Sequence, residues 1–175
     1  MATEINIGAF LGTRAFLNPG KEALYDVASD RRFTFSELNT RANQASAALS
    51  ALGLAKGDRV ALLTYNGSEF VECFFGPAKT GLVIMPLNWR LTADELAFIL
   101  KDGGARALVF DADFAPVIEQ LKGMGDQGSD VEHYRRATGP RAAHSRVASG
   151  QEFRPSERPA CRSLLRFRPS RGDHG

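Results

Sequence analysis

The sequence predicts an α/β fold, and three observations carry that prediction. Val60-Ala61-Leu62-Leu63 and Leu82-Val83-Ile84-Met85 are short continuous apolar runs, the pattern of strands covered on both faces in a parallel sheet. Around them, apolar residues recur at spacings of three and four, as on one face of a helix. Two Thr-x-x-Glu pairs, Thr34/Glu37 and Thr92/Glu95, stand where such helices would begin and read as capping boxes.

Taken in order, Ile7, Phe10, Leu11, Ala15 and Phe16 recur at helical spacing and stop at Asn18-Pro19-Gly20, so a short amphipathic helix closes there. Glu22 to Val27 and Arg32 to Phe35 flank Ala28-Ser29-Asp30-Arg31, a strand-turn-strand pattern that predicts an antiparallel hairpin. Behind the first capping box, Leu38, Ala42, Ala45, Leu49 and Leu52 form an apolar stripe, and Gly53 supplies a left-handed stop. The strand from Arg59 to Tyr65 leads to a helix faced by Phe70, Val71, Phe74 and Phe75. Asn66 with Glu69 is the expected cap of that helix, and Gly76-Pro77 is expected to interrupt it. A second buried strand spans Leu82 to Leu87. The second capping box opens a helix through Leu96, Ile99 and Leu100 that Gly103-Gly104 ends. Ala105 to Phe110 is a third strand, and Phe114, Val117, Ile118 and Leu121 mark a last helix. Strands alternating with helices imply βαβ crossovers, hence a partial parallel sheet with an N-terminal antiparallel hairpin.

Composition divides the chain at about residue 122. Residues 1–122 hold 12 Lys+Arg against 14 Asp+Glu, a net charge of −2, whereas residues 123–175 hold 10 Arg against 6 Asp+Glu, a net of +4. The second part has no Lys and no Ile, and it contains all three His residues. Two domains of description follow: 1–122, packed, and 123–175, an Arg-rich low-complexity tail. From about residue 135 that tail has four prolines and no sustained apolar period, too little burial to offset the entropy of ordering it, so disorder is expected there. Trypsin is then expected to cut first among Arg135, Arg136, Arg141 and Arg146.

Cys73 and Cys161 sit in no metal-ligand or redox spacing, and Cys73 in an apolar helix reads as a small buried hydrophobe. The N-terminus has an early acid and no basic region, unlike a secretory signal, and no apolar window is long enough to span a membrane. A cytoplasmic location with reduced thiols is the expectation.

The segments FTFSELNTRANQASAALSALGLAKGDRVALL, YNGSEFVECFFGPAKTGLVIMPLNWRLTADELAFIL and GARALVFDADF resemble the opening of the large domain of AMP-forming acyl-CoA synthetases, the adenylate-forming AMP-dependent synthetase/ligase superfamily. The resemblance runs from Phe10 to Leu121 and is nearest the fatty-acyl-CoA ligase branch. It implies an enzyme that activates a carboxylic (fatty) acid with ATP to an acyl-adenylate and transfers the acyl group to CoA, with magnesium accompanying the ATP. Such an enzyme needs a Ser/Thr/Gly-rich loop ending in Pro-Lys to cradle the triphosphate, and the 175 residues contain none. The catalytic lysine of the small C-terminal domain is missing as well. The expectation is an N-terminal fragment, truncated or out of frame from about residue 135, that binds no cofactor itself, is not catalytically competent alone and tends to self-associate. No catalytic, cofactor-binding or metal residue is assigned.

Other features read as structural. Asn88-Trp89-Arg90 follows a strand end, where α/β sheets bind ligands, but reads as a turn into a helix. Gly103-Gly104 is a helix stop with no following Lys. His133 and His144, eleven apart with no third ligand, do not make a metal site. The second function class is a non-catalytic interaction module with a basic tail. Six acids dilute that tail too far for a nucleic-acid footprint.

Overall fold

Residues 6–123, with the segments 131–134 and 164–167, are described by a computed structural model. The chain opens with helix α1 (Ile7–Leu17) and the strands β1 (Glu22–Asp26) and β2 (Arg31–Thr34), which pair as the expected antiparallel hairpin. Helix α2 (Phe35–Ser50) begins on the predicted capping box: Thr34 Oγ1 accepts the Glu37 amide, and Glu37 accepts the Thr34 amide at 2.8 Å. Beyond it, Gly53 has φ 73°, the left-handed stop anticipated from its position.

Strand β3 (Arg59–Leu63), helix α3 (Ser68–Lys79) and strand β4 (Val83–Pro86) form one βαβ unit. Helix α4 (Ala93–Asp102), capped by the second Thr92/Glu95 box, carries the chain back past β3 to β5 (Ala105–Phe110), which pairs in parallel on its other side. A 3-10 turn (Ala112–Phe114) and helix α5 (Ala115–Gly123) follow. Two further strands, β6 (Val131–Tyr134) and β7 (Leu164–Phe167), extend the sheet to the order β4-β3-β5-β7-β6, with both added pairings antiparallel. The sheet is therefore mixed, its parallel part being β4-β3-β5. Strand β7 falls within the segment expected to lack structure from about residue 135, whereas β6 ends just before it. The rest of that expectation, with Arg135, Arg136, Arg141, Arg146, His144 and Cys161, lies outside the described residues.

The two crossovers run in opposite directions from the sheet centre and clothe both faces. Val60 and Leu62 of β3 face α2 and α3, packing with Leu49, Leu52, Cys73, Ala107 and Val109. Their neighbours Ala61 and Leu63 face α4 and α5, packing with Leu96, Leu100, Leu108, Phe110 and Ile118. Successive residues of one strand thus serve two cores, as the twofold strand period requires. In β5 an extra residue, Arg106, lies between the partners of Arg59 and Val60. This bulge puts Ala105 in the same core as Leu108 and Phe110. A third core, of Leu11, Phe33, Leu38 and Ala42, joins α1 and the hairpin to the outer side of α2 and α3. Helix α2 packs closely on α3, where a Cβ on Gly76 would lie 2.4 Å from the Ala42 carbonyl oxygen.

Four expectations are corrected. First, β4 is not covered on both faces: it is the edge strand, and Val83 is 46% exposed. Second, Gly76-Pro77 does not interrupt α3, which runs on to Lys79. Pro77 is so near the C-terminus that the helix ends before a further turn is distorted, and its carbonyl accepts both the Thr80 and Leu82 amides. Third, the cap of α3 is neither Asn66 nor any local side chain; Gly67 holds the N-cap position without a side-chain bond. Fourth, α1 packs through Gly8 and Leu11, with Phe10 and Phe16 outward. The cause is the close approach at Gly8, where a Cβ would lie 2.3 Å from the Lys79 amide nitrogen.

Candidate functional site: the carboxyl edge of the sheet

Strands β4, β3 and β5 end on the same edge, and β3 is where the chain turns first to one neighbour and then to the other. In open α/β sheets that edge is where ligands and catalytic groups gather. Backbone bonds knit it: the Leu87 amide donates to the Leu62 carbonyl at 2.8 Å and the Asp111 amide to the Leu63 carbonyl at 3.1 Å. The Asp111 carboxylate then accepts the Tyr65 amide at 3.0 Å, fixing the exit of β3 against that of β5.

Each strand exit delivers an aromatic side chain to one cluster. The Tyr65 ring lies 4.8 Å from Phe114 and 5.3 Å from Trp89, the latter edge to face. The Arg90 guanidinium stacks over Trp89 at 4.4 Å from its centroid. The turn carrying Trp89 and Arg90 is closed by Asn88, whose Oδ1 accepts the Arg90 amide at 3.0 Å. Asn88-Trp89-Arg90 is thus the turn the sequence suggested, and it holds two exposed side chains in place. Phe114 is buried, whereas Tyr65 is 42% and Trp89 41% exposed. Beside them, the buried Thr64 hydroxyl makes no hydrogen bond.

Two helices also begin at this edge, and each start is met by the chain's own groups. Asp26, from the hairpin, accepts the first amide of α3 at Ser68 (3.2 Å) and the Ser29 amide (3.3 Å). Burial pushes the Asp26 carboxyl up, but these hydrogen bonds outweigh burial and hold it below the usual carboxylate range. The start of α4 is closed by Thr92 and Glu95, whose carboxyl is lowered by the Thr92 amide. The helix starts that could have cradled an external anion are therefore engaged internally.

Elsewhere, Glu72 of α3 is fully buried and paired bidentately with Arg41 of α2, through Nε to Oε1 and through a second nitrogen to Oε2 at 3.1 Å. Burial raises the Glu72 carboxyl and Arg41 opposes the rise. Lys79 is lowered by burial and donates to the Asn39 and Asn43 side chains. Among the described residues there is no cluster of three or more His, Cys, Asp or Glu able to hold a metal. Cys73 is buried as expected, and Gly103-Gly104 ends α4 with φ 58° at Gly104. His133 lies in β6. The aromatic cluster was not anticipated as a unit; its one sequence signal is an aromatic residue shortly after each of three strand ends.

An open sheet whose parallel strands are joined by helices, with an aromatic carboxyl edge, places this chain in the α/β class. The sequence profile described as "AMP-binding enzyme" matches residues 12–163, and the chain belongs to that family. It is 44% identical over 126 residues to the long-chain-fatty-acid–CoA ligase FadD13 of Mycobacterium tuberculosis, covering 72% of this chain and 25% of that protein. It is 45% identical over 91 residues to the fatty acid–[acyl-carrier-protein] ligase ScoC of Streptomyces coeruleorubidus, covering 52% of this chain and 18% of that protein. A solved Mycobacterium tuberculosis fatty acyl CoA synthetase superposes with a TM-score of 0.67 at 44% identity, over 69% of this chain and 24% of the other. The anthranilate CoA ligase AuaEII, solved with anthranoyl-AMP, superposes with a TM-score of 0.64 at 35% identity, over 68% of this chain and 23% of the other. The chain thus spans about a quarter of the length of these relatives, and it matches their N-terminal part. No helix of the described residues is long and apolar enough to cross a membrane.

Proposed function

We propose that this chain is the opening lobe of an AMP-forming fatty-acyl-CoA ligase, whose whole activates a carboxylic acid with ATP to an acyl-adenylate and passes the acyl group to CoA. The observation that carries this reading is the 44% identity over 126 residues to FadD13, joined to a superposition at TM-score 0.67 on a fatty acyl CoA synthetase. The lobe's part in that reaction is to present the carboxyl edge of a rigid sheet. No chemical step is assigned to its own side chains. The helix starts at the edge are engaged internally, and the sequence holds no triphosphate loop ending in Pro-Lys. The polypeptide of 175 residues is accordingly inactive by itself in this reading. Its division at residue 122 rests on composition; the family likeness runs past that seam to residue 163.

The test is a chimaera in which residues 10–121 of this chain replace the aligned segment of FadD13. Fatty-acid-dependent acyl-CoA formation is expected, whereas the chain alone is expected to give no ATP–pyrophosphate exchange with acetate, medium-chain or long-chain acids. A folded chimaera without acyl-CoA synthesis overturns the ligase reading. Exchange by the isolated chain, in protein free of host synthetase, overturns its inactivity.

A further inference from the structure

Lys79 is the last residue of α3 and stands where three helices meet. A Cβ on Gly8 of α1 would lie 2.3 Å from its amide nitrogen, and Asn6, the cap of α1, donates to its carbonyl at 3.3 Å. Its amine donates to Oδ1 of Asn39 and, at 2.6 Å, to Oδ1 of Asn43, both on α2. Asn39 and Asn43 are about one helical turn apart, so their oxygens meet the amine from the same helix face. The other charged groups of the three helices are Arg14, Glu37, Arg41, Glu69 and Glu72. Glu37 is held by Thr34, Glu69 faces Arg31 and Glu72 is paired with Arg41, and none of the five bonds Lys79.

Two neutral acceptors suit an uncharged amine better than an ammonium. An uncharged amine has two N–H bonds and one lone pair; Asn39 and Asn43 take both N–H bonds, and the lone pair is left directed away from them. An ammonium brings a third proton and a charge for which no carboxylate is at hand. Burial lowers the amine below the usual lysine range, with no charged neighbour pulling either way. A lysine acts as a nucleophile through that free lone pair. The side chain is only half-buried and Asn43 is exposed, so a reagent can reach it. Among the other lysines, Lys21, Lys56 and Lys101 are exposed and Lys122 is paired with Glu119 at 2.6 Å, while the Cys73 thiol is buried.

We propose that Lys79, held by Asn39 and Asn43, is a site of Nε-acylation by acyl-CoA thioesters. The nitrogen lone pair attacks the thioester carbonyl carbon, the C–N bond forms as the C–S bond breaks, and the thiol leaves with the proton that the nitrogen gives up. An amide and free CoA result, with no change of oxidation state. The acylated nitrogen keeps one N–H, so one of the two asparagine ties is lost and the outer end of the α2–α3 seam loosens. The proposal rests on the ligase reading only for the source of the thioester. Its test supplies octanoyl-CoA to the full chain, so the chimaera assay succeeds or fails independently of it.

Acylation at Lys79 blocks trypsin there and leaves the peptide 60–90 intact, which mass spectrometry follows beside the peptides of Lys21 and Lys101. Near neutral pH, Lys79 is expected to react several-fold faster than Lys21 or Lys101, with the lead narrowing as pH approaches the ordinary lysine value of about 10.4. Unfolding in urea is expected to abolish the lead. Asn43→Asp keeps an acceptor beside the amine but adds a charge that favours the ammonium, and is expected to slow Lys79 about tenfold or more near neutral pH and to move its pH profile upward, with Lys21 unaffected. Asn39→Asp makes the same test where Asn43→Asp unfolds the chain. Lys79 reacting no faster than Lys21 and Lys101, a lead that persists in urea, or a folded Asn→Asp variant with an unchanged rate and pH profile would each overturn the proposal. An active chimaera beside any of those outcomes would retain the ligase reading and discard this site.

Discussion

Arg41→Met is the most informative single change, because it leaves the fully buried Glu72 carboxylate facing an apolar side chain. Arg41 and Glu72 have side-chain exposures of 13% and 0%, so little water can replace the lost guanidinium. Removing one partner of such a pair costs about 3–5 kcal/mol, a large part of the roughly 5–15 kcal/mol that holds a domain folded. Loss of the Arg41 guanidinium over the Phe33 ring, 5.5 Å from its centroid, adds to the deficit. The double variant Arg41→Met, Glu72→Met removes both charges and is expected to be more stable than Arg41→Met alone, close to the parent.

The same change has a pH signature. Burial raises the folded-state carboxyl of Glu72 above its ordinary value of 4.5, and Arg41 opposes that rise. A folded carboxyl with a raised pKa binds its proton more tightly than the unfolded chain does. Its contribution is therefore most favourable below about pH 4.5 and declines as pH rises from there through the folded value. Without Arg41 the folded value climbs further, so the deficit of Arg41→Met should be smaller at pH 5 than at pH 8. Urea unfolding at both values, with the double variant alongside, measures this. A deficit under about 1 kcal/mol, equal deficits at the two pH values, or a double variant as unstable as the summed singles would refute the reasoning.

Two further changes and one association measurement test the packing. Gly76→Ala puts a methyl 2.4 Å from the Ala42 carbonyl oxygen, and a cost of about 1–3 kcal/mol is expected in the urea midpoint because backbone must move. Thr34→Ala removes the hydroxyl that accepts the Glu37 amide at 3.2 Å, with an expected loss of about 1 kcal/mol and less helix protection at the start of α2 in hydrogen exchange. The uncovered edge strand β4, with Val83 46% exposed, is expected to give concentration-dependent self-association of the isolated chain in sedimentation. A monomer that unfolds reversibly above about 60 °C would contradict that.

What the sequence disclosed was what depends on neighbours along the chain. Thr34/Glu37 and Thr92/Glu95 are three residues apart, and both boxes form as their spacing implies. The run Val60 to Leu63 is buried on both faces, but the similar run Leu82 to Met85 leads into an edge strand, because the number of strands beyond β4 is not written in its own composition. The outward turn of Phe10 and Phe16 follows from Gly8 meeting α3 some seventy residues later. The Tyr65, Trp89 and Phe114 cluster likewise exists only once strand order brings three exits together. Its members were visible singly and not as a site.

The cap that Asp26 places on α3 has a consequence in time. Asp26 and Ser68 are 42 residues apart, and from the end of β2 at Thr34 to Ser68 synthesis at about 5–20 residues per second takes roughly 2–7 s. Through that interval the β1–β2 hairpin has been made without the helix it is to close, and a lone two-stranded hairpin is marginal in water. The nascent hairpin is therefore held only loosely until α3 emerges to receive Asp26.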